Sequence, residues 1–172
     1  TGSIKFDIQI SQESKDNALC LKGTIGLERP IWIAASTHKG EDEIVLEAHK
    51  LLLRSLPDAL LILVPRHPER FGQVEQLADT LFSTITRTST HNVQPSVQVY
   101  IGNTMGEMMT FLGSSDVCFM GGSLLGNKVG GHNLLEPAAL AKPTLTGPSY
   151  YNFADITESL ISSGACQIIN NA

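Results

Sequence analysis

The sequence predicts an α/β fold, a Rossmann-like doubly wound parallel sheet with helices on both faces. Three observations predict it. Short apolar runs alternate along the chain with segments of helical periodicity. The runs are apolar at consecutive positions rather than at every second one, the pattern of strands covered on both faces. The polar, glycine and histidine residues concentrate in the loops that follow the runs, and in such sheets ligands sit at the C-terminal ends of the strands.

In chain order, residues 1–29 read as an interdomain linker and first extended segment, with "IKFDIQI" alternating like a strand and "SQESKDN" polar and loop-like. Residues 30–172 read as a ligand-binding domain. "PIWIAAS" is a buried strand that runs into the polar loop "THKGE". "EDEIVLEAHKLLLRS" is an amphipathic helix with Ile44, Leu46, Ala48, Leu51 and Leu52 on one side, and its acidic start suits the positive end of the helix dipole. "ALLILVP" is a second buried strand, followed by the loop "RHPERFG". A helix through "QVEQLADTLF", a short strand at "STITR" and a strand at "SVQVYIG" follow. "TMGEMMTFLGSS" is a helix, "DVCFMGG" a strand, and "GGHNLLEPAALA" leads into another helix. "KPTLTG", "FADITESLISSG" and "CQIIN" close the pattern as strand, helix and strand.

The composition limits the function. At 172 residues the chain is long enough for one core, and a net charge of -5 argues against nucleic acid as a bulk electrostatic partner. No apolar run approaches the ~20 residues that span a bilayer. Cys20, Cys118 and Cys166 are too far apart for metal-ligand or redox spacing, so reduced, buried thiols are expected. The chain opens at Thr1 without methionine and stops just after an apolar run, so a piece of a longer protein is expected.

The loops carry the chemistry. Arg66, beside Pro65 and His67 at the end of a buried strand, is placed to grip a phosphate, unless it is only a solvated partner of Glu69. "GGSLLGNK" has the glycine separation of a phosphate loop. It has Asn127 where the lysine belongs and Val129 where a hydroxyl is needed, so a nucleoside-triphosphatase is rejected; no G-x-G-x-x-G follows a strand either. "GGHNLLEPAA" offers glycines and a helix N-terminus, a ready anion site. Asn133 and Glu136 stand three apart as in a capping box; Pro137 argues instead for a helix that starts there and leaves the Glu136 carboxylate free for sugar hydroxyls. Thr104 reads as a helix cap with Glu107 at the third helical position, and Met105 as a flat apolar contact at the cleft mouth. His38, His67 and His132 lie one per loop with no i, i+4 pair, so no metal is expected.

Six segments in this order, "IWIAASTHKGEDE", "LILVPRHPERF", "GNTMGEM", "DVCFMGGSL", "GGHNLLEPAA" and "TGPSYYNFADI", resemble the C-terminal half of bacterial 3-deoxy-D-manno-octulosonic acid (Kdo) transferases. The resemblance implies a GT-B glycosyltransferase of the cytoplasmic face of the bacterial inner membrane that moves Kdo from CMP-Kdo to the lipid A precursor in lipopolysaccharide synthesis, without metal or cofactor. It implies CMP contacts at Pro65 and Arg66, at Met105, Gly106 and Glu107, and at Asn133, Leu134, Leu135 and Glu136. Further donor contacts are expected from Ser36, His67, Gly122, Ser123, Gly131 and His132. Lys39 stands where the family usually has an acid, and the stretch Gly126–Val129 looks longer than usual, so neither is given a role. The catalytic carboxylate, the membrane anchor and the acceptor site belong to the family's N-terminal domain and are expected outside this chain. The alternatives are a stand-alone nucleotide- or phosphosugar-binding module, or another GT-B enzyme such as a nucleotide-sugar epimerase.

Overall fold

The structure is a computed structural model that describes residues 8–172. Its elements in chain order are α1 (Gln12–Ile25), β1 (Ile31–Thr37), α2 (Glu41–Leu52), β2 (Leu60–Pro65), α3 (Phe71–Asp79), β3 (Thr84–Thr86), β4 (Val99–Ile101), α4 (Met108–Ser114), β5 (Val117–Met120), α5 (Leu135–Ala139), β6 (Thr144–Thr146), α6 (Ala154–Ser162) and β7 (Cys166–Ile168). The strands make one parallel sheet in the order β3-β4-β2-β1-β5-β6-β7. With β3 set aside as an added edge, this is the 3-2-1-4-5-6 order of the doubly wound fold, and the chain reverses direction across the sheet between β1 and β5. That reversal opens a crevice at the C-terminal ends of the central strands.

The central strands explain the continuous apolar runs. Every residue of β2 is buried, and alternate side chains feed two cores. Ile33, Leu60, Ile62, Val64 and Cys118 face one side, where α1, α4, α5 and α6 pack. Ala34, Leu61, Leu63 and Phe119 face the other, under α2 and α3. Cys118 and Cys166 are buried free thiols, and desolvation raises the pKa of both. Cys20 is exposed, against the expectation that all three are buried.

Residues 12–17, read as a polar loop, are instead the first turns of α1. Ser11 caps the helix by accepting from the Ser14 N–H at 3.1 Å. Only Ala18, Leu21 and Ile25 are buried, a stripe too thin to stand out in the sequence. The helix packs on α4 at Gly113, where a Cβ would lie 2.6 Å from that of Ala18. The strand expected at 4–10 falls partly on residues outside the described ones; residues 8–10 have no regular structure.

The buried face of α2 also differs from the expected one. It is made by Val45, Leu46 and His49, with Glu41 and Asp42 buried at its start, while Leu51 is exposed. His49 is tolerated in the core because both ring nitrogens are used. Its Nδ1 accepts from the Trp32 indole at 3.1 Å, and its Nε2 donates to the Gln98 carbonyl at 2.9 Å. Burial pushes the His49 pKa down to about 4.

Stability at low pH follows from this. The unfolded chain takes a proton on His49 near the ordinary value of about 6.5, and the folded chain only near 4, so between the two the unfolded state binds more protons. The contribution is complete above pH 6.5 and is lost as pH falls toward 4, roughly 3 kcal/mol at the limit. Urea denaturation at pH 7 and pH 4.5 should show this loss, and His49→Gln should flatten it. An unchanged slope in the variant would contradict the assignment.

Candidate functional site

A cleft of about 300 Å3 opens at the C-terminal ends of β1, β2, β4 and β5. Ser36 enters from β1, Pro65 and Arg66 from β2, and Thr104, Met105 and Gly106 from the loop after β4. His132, Asn133 and Glu136 close it from the segment before and within α5. Val64, Met108, Phe111 and Met120 supply the apolar part of the lining. These four were not singled out from the sequence. Val64 and Met120 are the last core residues of their strands, so their position at the strand ends was the available signal.

One buried carboxylate builds the frame of this cleft. Glu41 has no solvent exposure. Its Oε1 accepts from the N–H groups of Ser123 and Leu124 at 3.0 Å each, and its Oε2 from those of Gly122 at 2.7 Å and His38 at 3.0 Å. The loop whose glycine spacing mimics a phosphate loop therefore already holds an anion, supplied by the chain itself. From sequence the acid was credited only to the helix dipole. Gly122 is at φ 72°, and a Cβ there would lie 2.9 Å from the His132 ring. Any other residue would strain the turn and displace the histidine.

Asp42, next along, ties the β1 loop to the turn after β2. It accepts from the Thr37 hydroxyl at 2.7 Å and pairs with Arg70, which also donates to the Thr37 carbonyl at 3.2 Å. The Arg66 N–H donates to that carbonyl too, at 2.9 Å. The Arg66 backbone is thus fixed while its side chain is exposed, with no ion pair to Glu69 or any other acid among the described residues. Ser36 sits at the β1 bulge with φ 56°, a conformation uncommon outside glycine, and its hydroxyl bonds to none of the described residues.

The structure divides the sequence-named residues into two sets. Ser36, Pro65, Arg66, Met105, Gly106, His132, Asn133 and Glu136 meet at the cleft. The others lie behind it. Glu107 is not at a third helical position: it precedes α4 and is held by Arg87, whose Nη2 lies 2.8 Å away with Nε at 3.2 Å from both oxygens. That pairing keeps its pKa below the usual carboxylate range. Thr104 donates to the same carboxylate rather than capping the helix. Glu107 thus anchors the Met105–Gly106 turn, and Arg87 is a supporting residue the sequence did not flag.

Leu134 is buried and does not line the cleft, and Leu135 begins α5. The Gly122 and Ser123 amides are spent on Glu41, and the Ser123 hydroxyl donates to the Met120 carbonyl and accepts from Gly147, both at 2.7 Å. Gly131 is buried and donates to the Gly122 carbonyl. His67 is exposed and sets its edge against His38 at a centroid distance of 5.3 Å.

The α5 terminus matches neither reading in full. The helix starts at Leu135, not Pro137. The N-cap is Leu134, with no side-chain capping bond; Asn133 stands one residue before it and accepts from the Leu135 N–H at 3.0 Å, and Glu136 returns no capping bond among the described contacts. Its carboxylate stays free, half-buried in the cleft, with desolvation raising its pKa. At five residues α5 is too short to act as an anion-binding dipole, so charge recognition here rests on side chains. Among the described residues no group of three or more His, Cys, Asp or Glu is arranged to hold a metal ion.

A half-apolar cleft with one free arginine and one free carboxylate, at the reversal point of a doubly wound sheet, is the architecture of nucleotide-binding domains. No family model matches the chain. The 3-deoxy-D-manno-octulosonic acid transferase of Haemophilus influenzae is 46% identical over 162 residues, covering 94% of this chain and 38% of the relative. That of Bordetella pertussis is 34% identical over 170 residues, covering 96% and 39%. The crystal structure of the C-terminal CMP-Kdo binding domain of WaaA from Acinetobacter baumannii superposes with a TM-score of 0.87 at 38% identity, over 94% of this chain and 84% of that one. The chain belongs to the 3-deoxy-D-manno-octulosonic acid transferase family. It spans under two fifths of the length of these two curated relatives.

The frame built by Glu41 can be tested directly. Glu41→Gln replaces one acceptor oxygen by an NH2 group that faces N–H donors, stranding two of them. A loss of at least about 2 kcal/mol in urea denaturation is expected. A variant as stable as the parent would show that the carboxylate is not what holds the loop.

Proposed function

We propose that this chain is the CMP-Kdo-binding part of a glycosyltransferase that moves Kdo to the lipid A precursor. The observation that carries the reading is the meeting of Arg66, Met105, Gly106, Asn133 and Glu136 around one cleft in a chain so similar to a domain described as CMP-Kdo binding. In this reading residues 30–172 form the donor-binding domain, with α1 packed onto it.

The residues divide the work by chemistry. Arg66 is the free cation on the cleft, fitted to a phosphate oxygen pair. In the transfer step charge grows on the departing CMP, and a fixed guanidinium stabilises it more than it stabilises the bound donor. Glu136 is an unpaired carboxylate beside an apolar surface and accepts hydrogen bonds from the ribose hydroxyls. Met105, exposed at the mouth, gives a base a flat polarisable contact. Glu107 acts behind it, since its bond to Arg87 fixes the turn that carries Met105 and Gly106.

Transfer also needs a base within ~3 Å of the acceptor hydroxyl and an aligned acceptor. Glu41 and Asp42 are buried and spent, and Glu107 is paired. We assign the base, the acceptor site and attachment to the inner membrane to the remainder of such a transferase. No described helix is long and apolar enough to cross a membrane.

Arg66→Ala should weaken CMP binding about 10- to 100-fold, toward the lower end because the side chain is exposed, and leave cytidine binding unchanged. The chain alone, mixed with CMP-Kdo and lipid acceptor, should form no Kdo-bearing lipid. Unchanged CMP affinity in the variant would remove the phosphate from Arg66. Product above background would require a base within residues 1–172.

A further inference from the structure

His132 and His38 form a pair that the reading above leaves unused. The Nε2 atoms of the two rings are 2.8 Å apart, and the rings stack at 5.0 Å with an 11° tilt. His132 lines the cleft, while His38 stands behind it at the start of the β1 loop. Gly122 leaves the room that the His132 ring fills, and Glu41 fixes the His38 backbone. The pair is therefore built into the same frame as the cleft.

The protons of such a pair can be counted. At a 2.8 Å contact one Nε2 carries a hydrogen and the other accepts it. With both rings neutral, the two Nδ1 atoms then present one donor and one acceptor. Adding one proton makes both Nδ1 atoms donors. In the free protein the neutral form is favoured: burial, the opposing histidine and Arg66 hold His132 down to about 4, and burial lowers His38 as well. The charged groups facing the pair are Arg66 at the end of β2, His67 and Arg70 in the turn beyond it, and Glu41 at the start of α2. Only Glu41 favours the proton, and its oxygens are already shared among four N–H groups.

CMP-Kdo carries two negative groups, a phosphodiester and a sugar carboxylate. Of the described side chains lining the cleft, only Arg66 and His132 can be cationic. If Arg66 takes the phosphate, the remaining acid falls to the histidine. We propose that the His38–His132 pair receives the carboxylate of the sugar acid and takes up a proton as it does so. The inference rests on the donor-binding reading above. It assigns the cleft's selectivity for an acidic sugar to a pair of rings, one of which does not line the cleft at all.

The test is calorimetric titration of the chain with CMP and with CMP-Kdo at pH 7.5, in two buffers of different ionisation enthalpy. Both acidic groups of CMP-Kdo are fully ionised at that pH, so a proton taken up comes to the protein. Wild type should take up close to one proton on binding CMP-Kdo. His38→Gln should abolish that uptake and weaken CMP-Kdo about tenfold, while weakening CMP far less. His132→Gln should do the same, and retained CMP binding shows that both variants are folded. The inference is overturned if wild type takes up no proton, or if the two variants weaken CMP-Kdo no more than they weaken CMP. If wild type binds neither ligand, the donor-binding reading itself fails and the inference goes with it.

Discussion

A buried carboxylate with four backbone donors is the constraint on which the ligand end of this domain depends. Glu41 begins α2, yet its oxygens bind the loop after β5 and the loop after β1. Those two strands are the ones between which the sheet reverses its order. A charge taken out of water at this depth is tolerated only when its lone pairs are all used, so the two loops have little freedom to move apart. The positions of Ser36, His38 and His132 follow from that clamp, as does the room left at Gly122. Asp42 performs the parallel task between β1 and the turn after β2, and with it the Arg66 backbone is set.

The polar side chains at this end of the sheet fall into two sets. Glu41, Asp42, Glu107, Arg70, Arg87 and Ser123 have their charges or hydroxyls spent on one another or on backbone. Arg66, Glu136 and the Ser36 hydroxyl have no such partner among the described residues. The first set makes a rigid rim and the second faces the cavity. That division is what preorganisation means in a binding site: the supporting bonds are made in advance, and the groups left over meet the ligand without rearrangement. It also leaves a chain with a net charge of -5 a cation at its cleft. Asp42 and Glu107 are paired with arginines, and Arg66 is paired with no acid among the described residues.

Much of this was legible in the sequence. The buried strands β1, β2 and β5 announced themselves as uninterrupted apolar runs, and α2, α4 and α6 by their periodicity. Arg66 and Met105 were found because they follow such runs, and Asn133 and Glu136 because they stand between a glycine pair and a helix start. The N-terminal helix was not found, because a stripe of Ala18, Leu21 and Ile25 carries too little contrast. The wrong face was chosen for α2 because a buried histidine needs partners from β1 and from the residue before β4, which local periodicity does not reveal. The roles of Glu41 and Glu107 were missed for the same reason. Each is defined by contacts to distant segments, 81 residues away for Glu41 and Gly122 and 20 for Arg87 and Glu107. Sequence pattern located the cleft; only the fold showed which polar groups were already committed.

The central claim is that the cleft between β1, β2, β4 and β5 is where the nucleotide sits. The four methionines of the chain allow it to be watched directly. Met105, Met108 and Met120 line the cleft, while Met109 packs into the core. A titration of 13C-methyl-methionine protein with CMP, followed by NMR, should move the signals of Met105, Met108 and Met120 saturably and leave that of Met109 nearly still. A saturable shift confined to Met109, or no saturable shift at all, would contradict the account.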